Sequence, residues 1–169
     1  MDAKMPFKIS VLIFVKDVRG RHLLIRRLKE PNKGCWSPIG GKLEMAAGES
    51  PFQCAMREAK EEIGLELEEK DLRLFSMISE KAYEGDTHWL MFLFDCRKPI
   101  DRLPADIDEG AFRFFGLGEI LGGKITIPET DRKLLWDIWQ EHHESGQVIL
   151  RADCGESGKL TSKIEQVIK

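Results

Sequence analysis

No two cysteines in this chain are spaced to clasp a metal. The four, Cys35, Cys54, Cys96 and Cys154, form no CxxC pair and no zinc-ligand spacing. They read as free thiols in a reducing cytosol, and a disulfide framework is not expected in a chain of 169 residues. No apolar run approaches the ~20 residues needed to span a bilayer. The run "ISVLIFV" near the start is closed by Lys16 and Asp17, with no small-residue cleavage site after it. It reads as a buried strand rather than a signal peptide. Positive charge gives no surplus either: 26 Lys and Arg stand against 29 Asp and Glu, a formal net charge of −3. No overall basic field exists to hold a nucleic-acid polymer. An anionic substrate must then be held by a few local Arg or Lys, or through a bound cation. Internal repeats and low-complexity tracts are also lacking. The expectation is one cytoplasmic domain with no membrane partner, its oligomeric state, monomer or homodimer, left open.

What is present is a globular composition, 42% hydrophobic and 33% charged. Residues 8–17 and 21–28 are rich in Ile, Val, Leu and Phe around "DVRG", the pattern of a β-hairpin. "EPNKGCW" is a turn-rich loop, and "SPIGGK" lets the backbone turn sharply and approach a ligand closely. A helix follows with clear end signals. Ser50 is its N-cap, Pro51 its first residue, Gln53 completes a capping box and Gly64 is the left-handed stop. Phe52, Ala55, Met56, Ala59 and Ile63 form its apolar stripe. Strands are expected over 71–78, 87–96 and 111–117, with a long polar loop over 97–110. A second amphipathic helix, 128–143, turns Leu134, Leu135, Ile138 and Trp139 to the core, and a hairpin closes the chain over about 147–168. The order of elements argues for one mixed α/β domain spanning 1–169.

Within that first helix Glu58, Glu61 and Glu62 share a flank away from the apolar stripe. Like charges at these spacings cost only ~0.2–0.5 kcal/mol per pair. On the helix alone a solvated acidic face therefore fits as well as a site. The surroundings add a Gly40-Gly41 turn and Glu49 just before the N-cap. Clustered carboxylates beside an exposed backbone carbonyl suit a hard divalent cation such as Mg²⁺.

The stretch "GGKLEMAAGESPFQCAMREAKEEIGL" (40–65) resembles the signature box of the Nudix hydrolases. Glu49, seven residues, Arg57-Glu58, then Glu61-Glu62, Gly64 and Leu65 follow the family register. Two departures stand out. Seven residues rather than five separate Gly41 from Glu49, and Ala59 is smaller than the usual aliphatic. The resemblance implies an α/β/α sandwich with a mixed sheet. It also implies Glu58, Glu61, Glu62 and the Gly40 carbonyl as ligands of Mg²⁺, or Mn²⁺, and Arg57 as the holder of Glu49 or Glu61. The implied reaction is attack of water on a diphosphate within a nucleoside diphosphate linked to another group. A box glutamate or a later acid would be the base: Glu109, with Asp106 and Asp108 as competitors.

Arg27 or Arg26 would reach a phosphate, and only one of the two can, since neighbours on a strand face opposite ways. Trp36, Phe114 and Phe115 are candidates to stack on a base, though each also suits the core; Trp89 reads as core. His88, His142 and His143 read as structural or surface residues. The leading substrate is a nucleoside triphosphate, including oxidised purine nucleotides, cut to the monophosphate and pyrophosphate. ADP-ribose, a nucleotide sugar or a dinucleoside polyphosphate is the alternative. Two other classes stay open: a non-catalytic nucleotide sensor of the same fold, and an acidic interaction helix on an unrelated domain.

Overall fold

A computed structural model of the chain describes residues 5–83, 85, 87–156 and 159–169. Among the described residues nine strands run in order: β1 (Phe7–Phe14), β2 (His22–Arg27), β3 (Trp36–Ser37), β4 (Ile39–Lys42), β5 (Leu72–Tyr83), β6 (Thr87–Cys96), β7 (Gly110–Phe115), β8 (Gln147–Asp153) and β9 (Thr161–Ile168). Three helices join them: α1 (Pro51–Ile63), α2 (Leu117–Leu121) and α3 (Trp136–His142). A mixed six-stranded sheet has the order β4-β1-β6-β5-β8-β9, and a second sheet has the order β3-β2-β7. Within the first sheet β1 is parallel to β6 and antiparallel to β4.

β1 explains the layering. Its Val11 and Ile13 are fully buried in one apolar cluster, with Ala55 and Ala59 of α1. Its Phe14 packs in the other, with Trp136 and Ile138 of α3. A strand covered on both faces must be apolar at nearly every position, which is why "ISVLIFV" does not alternate. The result is a single-domain α/β/α sandwich with a mixed sheet between helical layers.

The expected hairpin of β1 with β2 does not form along its length. Both edges of β1 are already taken, by β4 and β6, so β2 turns away to pair with β3 and β7. Only the base of the turn links them, through a Lys16–His22 bridge and the Leu23 N–H donating to Val15 O at 2.8 Å. The late helix begins as a π-helical stretch, Asp131–Leu135, that runs into α3. At its junction the Trp136 N–H bonds five residues back, to Asp131 O. The final pair, β8 with β9, is antiparallel; residues 157 and 158 of its turn lie outside the described residues, as do the first four of the chain.

α1 is built as its end signals require. The Gln53 N–H donates to Ser50 Oγ at 3.1 Å and the Ser50 N–H to Gln53 Oε1 at 2.9 Å. Gly64, at φ 65°, closes the helix through its N–H to Lys60 O. The buried positions are Cys54, Ala55 and Ala59, while Phe52, Met56 and Ile63 lie half-buried at the margins. All five expected stripe residues thus pack in or against the core, and Cys54 joins them.

Candidate active site

Small residues bring α1 against β4. A side chain at Gly40 would collide with Val11 O at 2.0 Å, and one at Gly41 with Glu58 Oε1 at 2.1 Å. Two consecutive glycines therefore let the glutamate face of α1 lie directly beside a backbone strand.

Arg57 organises that face. Its Nε and Nη2 grip both oxygens of Glu49, at 2.7 and 3.0 Å. Its Nη1 donates to Glu58 Oε1 at 2.9 Å and to Glu61 Oε2 at 3.1 Å. Such a fork-on-carboxylate pair is charge-assisted and fixes geometry. It holds the Glu49 carboxyl down at about 2. The two extra residues before Glu49 are absorbed by an exposed 3-10 turn, Met45–Ala47, closed by Gly48 at φ 64°. The Glu44 N–H then donates back to Glu49 Oε2 at 2.9 Å, so the longer loop still delivers Glu49 to Arg57.

The cleft beside this face has a volume of about 490 Å³. Glu58, Glu61, Glu62, Gly40, Arg27 and Glu109 all line it. Glu62 is the most telling. Its Oε2 is buried with no hydrogen-bond partner among the described residues. Burial raises its carboxyl to about 8, helped by the nearby charges of Glu58 and Glu109 and opposed by the Gly40 N–H and Arg27. Burial also raises Glu58, against the pull of Arg57.

Among the described residues no three acid, His or Cys side chains already converge as a metal cage. Arg57 draws Glu58 and Glu61 toward itself and leaves Glu62 alone. The donors nonetheless fit Mg²⁺. That ion binds through one or two carboxylates and keeps several waters, so no closed cage is required. An orphaned buried carboxylate oxygen beside two further acids is a place where a divalent cation relieves repulsion.

Other expected residues sort by position. Arg27 faces the cleft, its Nε donating to Pro31 O at 2.7 Å, and Arg26 is exposed elsewhere. Of the three loop acids, Asp106 accepts the Phe112 N–H at 3.2 Å, which ties it to the fold, and only Glu109 lines the cleft. Trp36 and Phe115 do not line it. They pack edge to face, centroids 4.9 Å apart, and Phe115 is buried in the core. A base cannot stack there, because each ring is already used by the other and by the core. Phe114 packs at the opposite core, under the guanidinium of Arg21.

Trp89 packs against the core, as expected, and also lines the cleft, with Lys8 Nζ over its ring at 5.4 Å. The far end of the cleft holds two acids that motif spacing did not single out. Glu80 is 3% exposed and Asp131 7%. Burial raises them to about 8 and about 7, the charge of Asp131 adding to the effect on Glu80. The readable signal for Glu80 was its register: Ser76, Ile78, Glu80 and Ala82 alternate inward on β5.

A fold of this layout, with a capped glutamate helix against a Gly-Gly strand beside a cleft, defines a class of domain. The family model of the NUDIX domain matches residues 6–137. The chain belongs to the Nudix hydrolase family. It is 32% identical over 85 residues to the dihydroneopterin triphosphate diphosphatase of Escherichia coli K12, covering 50% of this chain and 53% of that protein. The chain thus spans about half the length of the curated relatives it matches. Among solved structures it is similar to the mutator MutT protein of Bacillus halodurans, with a TM-score of 0.72 and 20% identity over 94% of this chain and 97% of that one. The MutT protein of Methanosarcina mazei gives a TM-score of 0.66 and 23% identity, over 83% and 98%. Among the described residues no helix is long and apolar enough to cross a membrane.

Proposed function

We propose that this chain is a Mg²⁺-dependent pyrophosphohydrolase that cuts a nucleoside triphosphate or a close analogue to the monophosphate and pyrophosphate. The observation that carries this reading is the orphaned Oε2 of Glu62, buried beside Glu58 and facing Glu109 in the same cleft. A relative described as a dihydroneopterin triphosphate diphosphatase supports the triphosphate over the alternatives.

Bound there, Mg²⁺ supplies charge neutralisation for phosphate oxygens and a more acidic water. Glu58, Glu61, Glu62 and the Gly40 carbonyl are the groups that would hold it. Arg57 acts one step back: it keeps Glu49, Glu58 and Glu61 in fixed bearings. Arg27 lies where it can meet a phosphate oxygen, at the cost of its bond to Pro31 O. Glu109 is exposed and lines the cleft across from Glu62, which suits a base accepting a proton from the attacking water. The water oxygen bonds to phosphorus, the anhydride P–O bond breaks, and pyrophosphate leaves with the electron pair.

The test is a panel of nucleotides with Mg²⁺ or Mn²⁺, with products identified by mass. Monophosphate plus pyrophosphate from a triphosphate is the expected result. Turnover restricted to ADP-ribose or nucleotide sugars, or binding without turnover, overturns it.

A further inference from the structure

The loop between β2 and β3 carries links to two working groups. Arg27 Nε donates to its Pro31 O at 2.7 Å, and its Leu28 N–H donates to Glu109 O at 2.9 Å. The far side of the loop also holds the Arg27 backbone: the Arg27 N–H donates to Cys35 O at 3.0 Å, and Arg27 O accepts from the Gly34 N–H at 2.7 Å. Yet none of residues 28–36 is buried, so core packing does not fix where this loop lies. Its tip is tied across the cleft instead. The hydroxyl of Tyr83, at the end of β5 in the six-stranded sheet, donates to Asn32 Oδ1, and both residues line the cleft. Each end of this link is built for it. Asn32 takes φ 63°, a left-handed conformation that asparagine tolerates better than most residues. β5 breaks register between Glu80 and Tyr83, and Ala82 takes φ 54° there, against the preference of an L side chain. His88 Nδ1 accepts the Ala82 N–H at 2.9 Å, so the amide at this break keeps a partner. Breaks of this kind re-aim a side chain, and strained backbone persists where the surroundings hold it for a purpose.

Building on the function proposed above, we propose that Tyr83 and Asn32 form a clasp across the cleft that holds the β2–β3 loop, and with it Arg27, in place over the bound triphosphate. Arg27 gives up Pro31 O when it turns to a phosphate oxygen, and the loop then loses one tether. The clasp is the tether that does not depend on Arg27. With the tip held to the six-stranded sheet, Gly34 and Cys35 keep the Arg27 backbone where it is, and Leu28 keeps its bond to Glu109 O. Tyr83 and Asn32 are positioning residues: they act through the loop, and neither exchanges a proton with the reacting atoms.

The test is hydrogen exchange of the loop amides, read beside steady-state kinetics on GTP or ATP, whichever the wild type turns over with Mg²⁺. Tyr83→Phe removes one hydroxyl, and Asn32→Gly removes the acceptor at a φ that glycine adopts freely. In each variant the Gly34 and Cys35 amides are expected to exchange roughly 3- to 10-fold faster, the scale of one neutral hydrogen bond. KM is expected to rise by about the same factor, with kcat held within about twofold, as for a lost contact that serves ground state and transition state alike. In the double variant, Tyr83→Phe adds nothing once Asn32→Gly is in place. Loop amides that exchange no faster in Tyr83→Phe, or additive effects in the double variant, overturn the clasp. Faster exchange spread evenly over β5 and β6 means that Tyr83 only supports the fold, and overturns it as well. A freed loop with an unchanged KM overturns its part in holding the substrate. Absence of turnover on every triphosphate instead defeats the hydrolase reading, and the clasp is then judged by the exchange rates and their coupling alone.

Discussion

The two ends of the cleft are both acidic but are built on opposite principles. At the α1 end, one guanidinium hydrogen-bonds three carboxylates, while Glu62 Oε2 lies buried without a partner among the described residues, near a strand whose glycines put no side chain in the way. At the far end, Glu80 and Asp131 are buried where they line the cleft, and the cation that shares this end, Lys8, lies over the Trp89 ring and forms an ion pair with neither. The first arrangement invites an external positive charge. The second suppresses charge by holding a proton. Identical functional groups thus take different roles because of what surrounds them.

The sharpest way to break this contrast is at Glu62. Glu62→Gln is expected to lower Mg²⁺-dependent turnover by roughly 10²–10³-fold, the scale seen when one preorganised group at a reacting centre is removed. The same substitution is expected to remove the rise in melting temperature that Mg²⁺ gives the wild type, whereas Glu80→Gln keeps it. A Glu62→Gln protein with normal turnover would end the metal-site reading.

A smaller effect separates the ends by pH. Glu80 and Asp131 are raised in the fold, to about 8 and about 7, from ordinary values of 4.5 and 3.8. A raised folded value means that the unfolded chain loses its proton first. Stability is therefore fully present below about pH 4, by this linkage, and falls as pH rises toward 7 and 8, at about 1.4 kcal/mol per unit for each proton concerned. Asp131→Asn should accordingly melt higher than the wild type at pH 8 and no higher at pH 4, with or without Mg²⁺. Equal gains at both pH values would mean that the carboxyl is not held protonated.

The smallest effect is expected in the lengthened loop. Deleting Met45 and Ala46 restores the shorter spacing and removes only exposed residues. Stability should change by less than about 0.5 kcal/mol and turnover by less than twofold, by denaturant melts and steady-state rates. A larger loss would show that the 3-10 turn does more than return Glu49 to Arg57.

Much of the α1 end was legible in the chain, for a physical reason. Caps, stripe and box lie within one continuous helix and its approach, so spacing alone fixes their relative bearings. Ser50, Gln53 and Gly64 behave as their local chemistry dictates. What depends on partners distant in sequence was not legible. Nothing local in β2 says that both edges of β1 are taken, so the expected hairpin gave way to two sheets. Aromatic residues on strands have the same pattern whether they line a core or a cleft. Hence Trp36 and Phe115 were expected at the ligand, whereas of the three it is Trp89, packed against the core as expected, that also lines the cleft. Glu80 and Asp131 lie 51 positions apart, in different elements, and no motif spacing joins them.

The π-helical stretch makes the late helix a two-part lever. One residue too many for an α-helix is accommodated between Asp131 and Leu135, upstream of Trp136. Each helical residue advances ~100° around the axis. Excising one residue there would rotate everything before it by about that angle and leave the packing of Trp136, Ile138 and Trp139 untouched. The bearing of Asp131 is therefore set by this stretch, whose own Leu135 is locked into the same core cluster as Trp136. Such one-residue insertions recur near working sites in helices. A chain of this sandwich that differed by one residue here would present a different side chain to the far end of the cleft, away from the glutamate face at the other end.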